Sequence, residues 1–225
     1  MTAATPESPD PSASPESSAA AADFLSRVQG SGELIAALLA LLLPPGSKRA
    51  RRAWEIETEA TTGAAAVLAQ VTALLPNARL PWFERLLKRM RRHPLEQRQV
   101  LLESTRRLMS ARGSLRAIDR LHWFAMRQRL GEATPASARQ AASADLSQLP
   151  GGDALVHALH QLQAMAWMQR PVLVRNWLDA ALARRERGRL RDSAADALRL
   201  SCALLDSPLP PELARHYIEP PEELR

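Results

Sequence analysis

Apolar residues recur along this chain at three- and four-residue intervals, punctuated by prolines and glycines, and they predict helices from residue 23 onward. The first is expected over 23–43, weakened and open to splitting at Gly30 and Gly32, and stopped by Pro44-Pro45-Gly46. A second is expected over 48–75 with the stripe Ile56, Ala60, Gly63, Ala64, Val67, Val71 and Leu74, whose small members would let a neighbouring helix come close. Pro76 and Pro81 bracket the turn that follows. The third, over 81–93, is the clearest amphipath: Trp82, Phe83, Leu86, Leu87 and Met90 share one face, and Arg85, Lys88, Arg89, Arg91 and Arg92 occupy the others. Pro94 then opens a fourth helix at its first turn, where a missing N–H costs little. That helix reaches Ala111 and buries Leu101, Leu102, Thr105, Leu108 and Met109. Gly113 is placed as its left-handed cap and Ser114 as the N-cap of a fifth helix ending at Leu130.

Residues 131–152 are rich in Ala, Ser, Gly and Pro and read as a linker; helices follow near 153–169, 171–186 and 190–206. At the front, residues 1–22 are Pro, Ser, Ala, Thr and acid with no large apolar side chain after Met1, so they are expected to stay disordered. No stretch alternates apolar and polar residues as a half-buried strand would. The expectation is an all-α protein of seven to eight helices. It comprises a tail (1–22), a first helical unit (23–131), a linker (132–152), a second unit (153–217) and a C-terminal tail (218–225).

Composition agrees with that class, since Ala, Leu and Arg dominate and β-branched residues are sparse. Charge adds something the periodicity does not. The formal net charge is +6, but residues 1–23 carry four acids and no base, so the remainder holds 30 basic against 20 acidic residues, or +10. A basic body points to an anionic partner or to a solvated arginine surface. The lone Cys202 cannot form an intrachain disulfide and sits in an apolar pattern, as a small buried residue would. The first 23 residues lack the basic n-region and apolar core of a secretory signal. The most apolar run, Leu34 to Leu43, is about half the ~20 residues of a membrane span. A cytoplasmic location is the expectation.

Two stretches look alike across the linker. Arg112-Gly113-Ser114-Leu115 and Arg187-Gly188-Arg189-Leu190 each join an apolar-striped helix to another, followed by Asp119 with Leu121 and by Asp196 with Leu198. With these turns the chain resembles the tellurite-resistance-type (TerB-like) helical region found behind the protease domain of bacterial membrane zinc peptidases. There the turn reads Asp-Gly-x-(Val/Ile)-(Ser/Thr)-x-x-Glu. Gly113 with Leu115 and Gly188 with Leu190 match it, and the stretch Leu190 to Pro211 resembles the end of those proteins, so the likeness covers most of residues 24–211. The leading acid is replaced by Arg112 and Arg187; the trailing Glu is Asp119 in the first copy and Ala194 in the second. A hard cation needs several oxygen ligands at one point, so these replacements remove such a site. The signature His-Glu-x-x-His is absent, and peptidase activity does not carry over. The resemblance implies a helical scaffold serving as a regulatory or accessory module.

Candidate chemistry is thin. His157 and His160 have ligand-like spacing, but only Asp153 stands near them, and beside a Leu155/Leu159/Leu162 stripe both would point outward. No Ser/His/Asp or Cys/His arrangement is arguable, and Gly151-Gly152 lacks the Lys-Ser/Thr of a phosphate loop. No catalytic residue, cofactor or metal is expected. Two surfaces remain. Arg85, Lys88, Arg89 and Arg92 fall on one helix face and could track phosphates of a nucleic acid or an anionic membrane. Trp167 and Met168 lie off the stripe of their helix and could form an apolar patch for a protein partner. The leading expectation is a non-enzymatic protein-interaction module whose partner is another protein; the alternative is a basic protein binding nucleic acid or an anionic membrane surface.

Overall fold

A computed structural model of the chain describes residues 14–111, 113, 117–131, 145–149, 151–167 and 191–222; these are helical, with no strand among them. Helix α1 is Pro15–Arg27, α2 Ser31–Leu41, α3 Lys48–Glu57, α4 Ala64–Ala73, α5 Pro76–Met90, α6 Leu95–Ala111 and α7 Ala117–Leu130. A 3-10 turn, Leu146–Gln148, precedes α8, Gly151–Trp167; then come α9, Arg191–Leu204, and the short α10, Pro211–Ala214. No described helix is long and apolar enough to cross a membrane.

The first expected helix divides at Val28–Gly30, and its front part starts eight residues early. The expected tail is therefore too long at its inner end. Ser14 and Ser17 exchange hydrogen bonds in a capping box, Ser17 N–H to Ser14 Oγ at 3.1 Å and Ser14 N–H to Ser17 Oγ at 3.0 Å, with Pro15 at the first helical position. Ser18, Ala21 and Leu25 then bury one side of α1. A polar composition conceals this helix because its buried face is mostly Ala and Ser.

Helix α2 is apolar all round, and α3, α4, α5 and α6 pack about it. Leu34, Leu38 and Leu39 are fully buried there. Each contributes about 1.5–3 kcal/mol relative to exposure. Trp54 pins α3 to this axis, donating from Nε1 to the Ala36 carbonyl at 2.9 Å. The helix expected over 48–75 is two helices. Thr58 turns its hydroxyl back to the Trp54 carbonyl, and Gly63, at φ +81, starts α4 from a left-handed conformation. Val67, Val71 and Leu74 are buried as their spacing predicts, but Ala60 and Gly63 of the expected stripe are exposed in the turn between the two helices, and Ile56 is 66% exposed while Trp54 takes the inward position.

Helix α5 begins five residues before the expected start and carries Pro81 inside it. Proline has no N–H for the carbonyl four residues back, here Asn77. That carbonyl instead accepts from Ile218 N–H at 3.3 Å, while Asn77 Nδ2 donates to the His216 carbonyl at 3.1 Å. The helix thus tolerates its proline because the chain's C-terminal segment supplies the missing donor.

The expected face of Trp82, Phe83, Leu86, Leu87 and Met90 is buried, as are Leu101, Thr105, Leu108 and Met109 of α6, whereas Leu102, also expected inside, is only half-buried at the edge of the core. Gly113 adopts φ +85, the left-handed cap its position predicts; Arg112, Ser114 and Leu115 lie outside the described residues. Helix α9 packs between α7 and α8. It ends on Asp206 at φ +50 with Ser207 N–H on the Cys202 carbonyl at 2.9 Å, a left-handed stop followed by Pro208. One continuous apolar core joins residues on both sides of the 131–152 boundary. The helix expected over 171–186 and most of the linker, 132–144, lie outside the described residues.

Candidate functional site

The cationic face expected on α5 divides when its neighbours are in place. Arg89 is 5% exposed and donates from Nη1 to the carbonyls of Leu25 at 2.9 Å and Val28 at 3.1 Å, acceptors at the end of α1. Arg85 donates to the Pro221 carbonyl at 2.9 Å and the Pro220 carbonyl at 3.4 Å. Lys88 and Arg92 are exposed. Two of the four cations at this helical spacing are therefore engaged by backbone carbonyls of the chain itself. Spacing gives their angle about α5, and other elements of this chain already occupy part of that angle.

The same use of arginine recurs. Arg79 reaches the Val71 carbonyl at 3.0 Å and those of Ala40 and Leu41 at 3.4 Å, at the ends of α4 and α2. Arg98 of α6 donates to Leu130 at the end of α7 at 3.3 Å, and Arg129 of α7 to Ala203 near the end of α9 at 2.8 Å. A helix end carries unsatisfied carbonyls and partial negative charge, which a guanidinium meets with several donors at once. Four arginines thus hold one helix to the end of another.

A second junction pairs charge with charge. Arg199 of α9 donates to Glu84 of α5 from Nε at 2.9 Å and from Nη2 at 2.8 Å, and its guanidinium also binds Glu219. Burial opposes its charge, but the hydrogen bonds to Glu219 and Glu84 hold it firmly protonated. Burial pushes the Glu84 carboxyl above its ordinary value, against the pull of Arg199. The guanidinium carbon lies 4.5 Å over the Tyr217 ring, and the Tyr217 hydroxyl donates to Asp196 at 3.1 Å. Residues 216–221 are in this way strapped along α5, from Asn77 at its start to Arg85 past its middle.

Just beyond the strap, α5, α7 and α9 leave a cleft of about 280 Å³. Phe83 and Leu87 of α5, Ala125 of α7 and Leu200, Ala203 and Leu204 of α9 form its apolar lining. Lys88, Arg91 and Arg129 stand at its rim; Arg129 is paired with Asp206, and Glu84 in the lining is bound by Arg199, which it shares with Glu219. Lys88 and Arg91 pair with no carboxylate among the described residues. Sequence reasoning placed Lys88 and Arg91 on the right helix but missed the cleft, because Leu200 and Ala203 come from the far side of the linker.

The remaining candidates fall away or lie out of view. His160 is exposed, and half-buried His157 meets Gln161 at 3.0 Å; no group of three metal-ligating side chains occurs among the described residues. Cys202 is buried, and burial pushes its thiol up to about 11, so it packs as an apolar residue. Trp167 closes the described part of α8; Met168, its proposed companion in a partner patch, lies outside the described residues, as does the second turn, Arg187 to Leu190. Asp119, the acid of the first turn, is 1% exposed. No family model, curated protein or solved structure matches this chain.

Proposed function

We propose that this protein is a non-enzymatic protein-interaction module: a TerB-like helical scaffold, its acidic turns replaced, that serves a regulatory or accessory role in the bacterial cytoplasm. The observation that carries the reading is the cleft between α5, α7 and α9, an open pocket with an apolar lining where three helices meet. Interfaces draw their energy from such apolar centres with a polar rim. The alternative, a surface for nucleic acid or an anionic membrane, rested on four cations of α5. Two of those, Arg85 and Arg89, are bound to carbonyls of the chain itself, which weakens that reading.

The test is affinity capture from native lysate, with and without nuclease. A protein recovered near stoichiometry in both halves supports an interaction module. Recovery only of nucleic-acid-dependent proteins, lost with nuclease and with rising salt, overturns it in favour of the phosphate-binding alternative.

A further inference from the structure

We infer that the cleft receives an acidic amphipathic helix of a partner protein, with two apolar side chains in the cleft and carboxylates on Lys88 and Arg91. The inference rests on the interaction-module reading and adds to it the site and the partner's chemistry.

Size comes first. An apolar cavity of about 150 Å³ holds a benzene ring. A cleft of about 280 Å³ therefore accepts about two side chains of Leu or Phe size, and not a whole helix. A helix laid across the opening would present such a pair one turn apart, the helix-in-groove mode of recognition.

Charge comes second. Lys88 and Arg91 lie one turn apart on the α5 edge of the cleft and pair with no carboxylate among the described residues, while Arg129 on the α7 edge is paired with Asp206 and Glu84 is bound by Arg199. The rim is cationic, so the partner face around its apolar pair is acidic. The same rule disfavours the chain's own stretch 168–190, which carries six Arg against one Asp and one Glu.

Continuity comes third. Beside this edge of α5 the chain already holds an acidic segment: Glu219 sits on Arg199 of α9, and the Pro220 and Pro221 carbonyls sit on Arg85 of α5. Lys88 and Arg91 are the next cations along the helix, at the open end of that seat.

The experiment uses the full chain and two fluorescent peptides of about 16 residues with identical Leu/Phe faces, one with Glu and one with Lys on the polar face. The Glu peptide should bind saturably by fluorescence anisotropy and the Lys peptide should not. The double variant Lys88→Glu/Arg91→Glu should weaken the Glu peptide at least about tenfold and admit the Lys peptide. Ala203→Trp, which plugs the half-buried lining of the cleft, should abolish both; circular dichroism checks that each variant is folded. Equal binding of the two peptides, binding of neither, or binding indifferent to these variants overturns the inference. So does a requirement that residues 223–225 be deleted first, which would make the chain's own end the occupant. A nuclease-resistant partner that captures wild type and both variants alike would sink this site and leave the interaction-module reading standing. Absence of any partner would sink that reading itself.

Discussion

Two buried arginines hold this bundle together at two different junctions, and they do so by different chemistry. At the α1–α5 junction Arg89 meets the backbone carbonyls of Leu25 and Val28, neutral acceptors that no substitution can remove. At the α5–α9 junction Arg199 meets the carboxylates of Glu84 and Glu219, which titrate and can be mutated. Both remove a guanidinium from water, and each is repaid by hydrogen bonds. The difference lies in what is left behind when the arginine goes. One junction is left with polar groups short of a donor, the other with a charge short of its counterion.

The largest effect should follow from Arg199→Met, which keeps the aliphatic stem but strands Glu84. Stranding one partner of a fully buried pair costs about 3–5 kcal/mol. Glu84 retains 28% of its side-chain exposure and Glu219 57%, so about 3 kcal/mol is expected in urea unfolding. Adding Glu84→Gln should recover part of that loss, because the stranded charge is gone. A loss under about 1 kcal/mol, or no recovery in the double variant, would mean that the pair is not what joins α9 to α5.

Arg89→Met should cost somewhat less, about 2 kcal/mol, the scale of charged hydrogen bonds to two buried carbonyls. Hydrogen exchange sharpens the contrast: Arg89→Met should loosen amides in the last turn of α1, whereas Arg199→Met should loosen the strap at 216–221. The same pattern in both variants would erase the distinction between the junctions.

Acidity should separate them further. The Glu84 carboxyl lies above its ordinary value of 4.5 in the folded protein because burial outweighs Arg199. The folded state therefore holds that proton more tightly than the unfolded chain does. Its contribution to stability is fully present below the ordinary value and is lost as pH rises through the folded one. The stability of wild type minus that of Glu84→Gln should shrink as pH rises from about 4 to 7. A difference that grows with pH would mean that Arg199, not burial, governs the group.

The helices were legible in the sequence where one face is large and apolar. The stripe of α5 from Trp82 to Met90 and that of α6 from Leu101 to Met109 are both buried as their spacing predicts. Legibility failed where the deciding partner has no side-chain signature. Nothing local says that Arg89 will meet the carbonyls of residues 25 and 28, since every residue carries a carbonyl. Pro81 reads locally as a helix start; only the Ile218 N–H, 137 positions away in the chain, makes it an interior residue. Ile56 and Trp54 compete for the same inward turn of α3, and the indole wins because its N–H finds the Ala36 carbonyl. The candidate cleft was illegible for the same reason, for its two walls are joined by no periodicity within either.

The smallest expected effect completes the comparison. Lys88 and Arg91 neighbour Arg89 in sequence, carry the same charge, and stand at the rim of the cleft instead of at a helix end. Exposed cations without a carboxylate partner contribute little to folding. Lys88→Ala and Arg91→Ala should each leave the melting temperature within about 1 °C of wild type, while Arg89→Met lowers it by several degrees. Differential scanning calorimetry of the three variants decides the matter. If Lys88→Ala or Arg91→Ala melts as early as Arg89→Met, those side chains belong to the frame of the bundle and are not free to meet a partner. If they melt with wild type, one helix turn separates a cation that holds the fold together from cations available for binding.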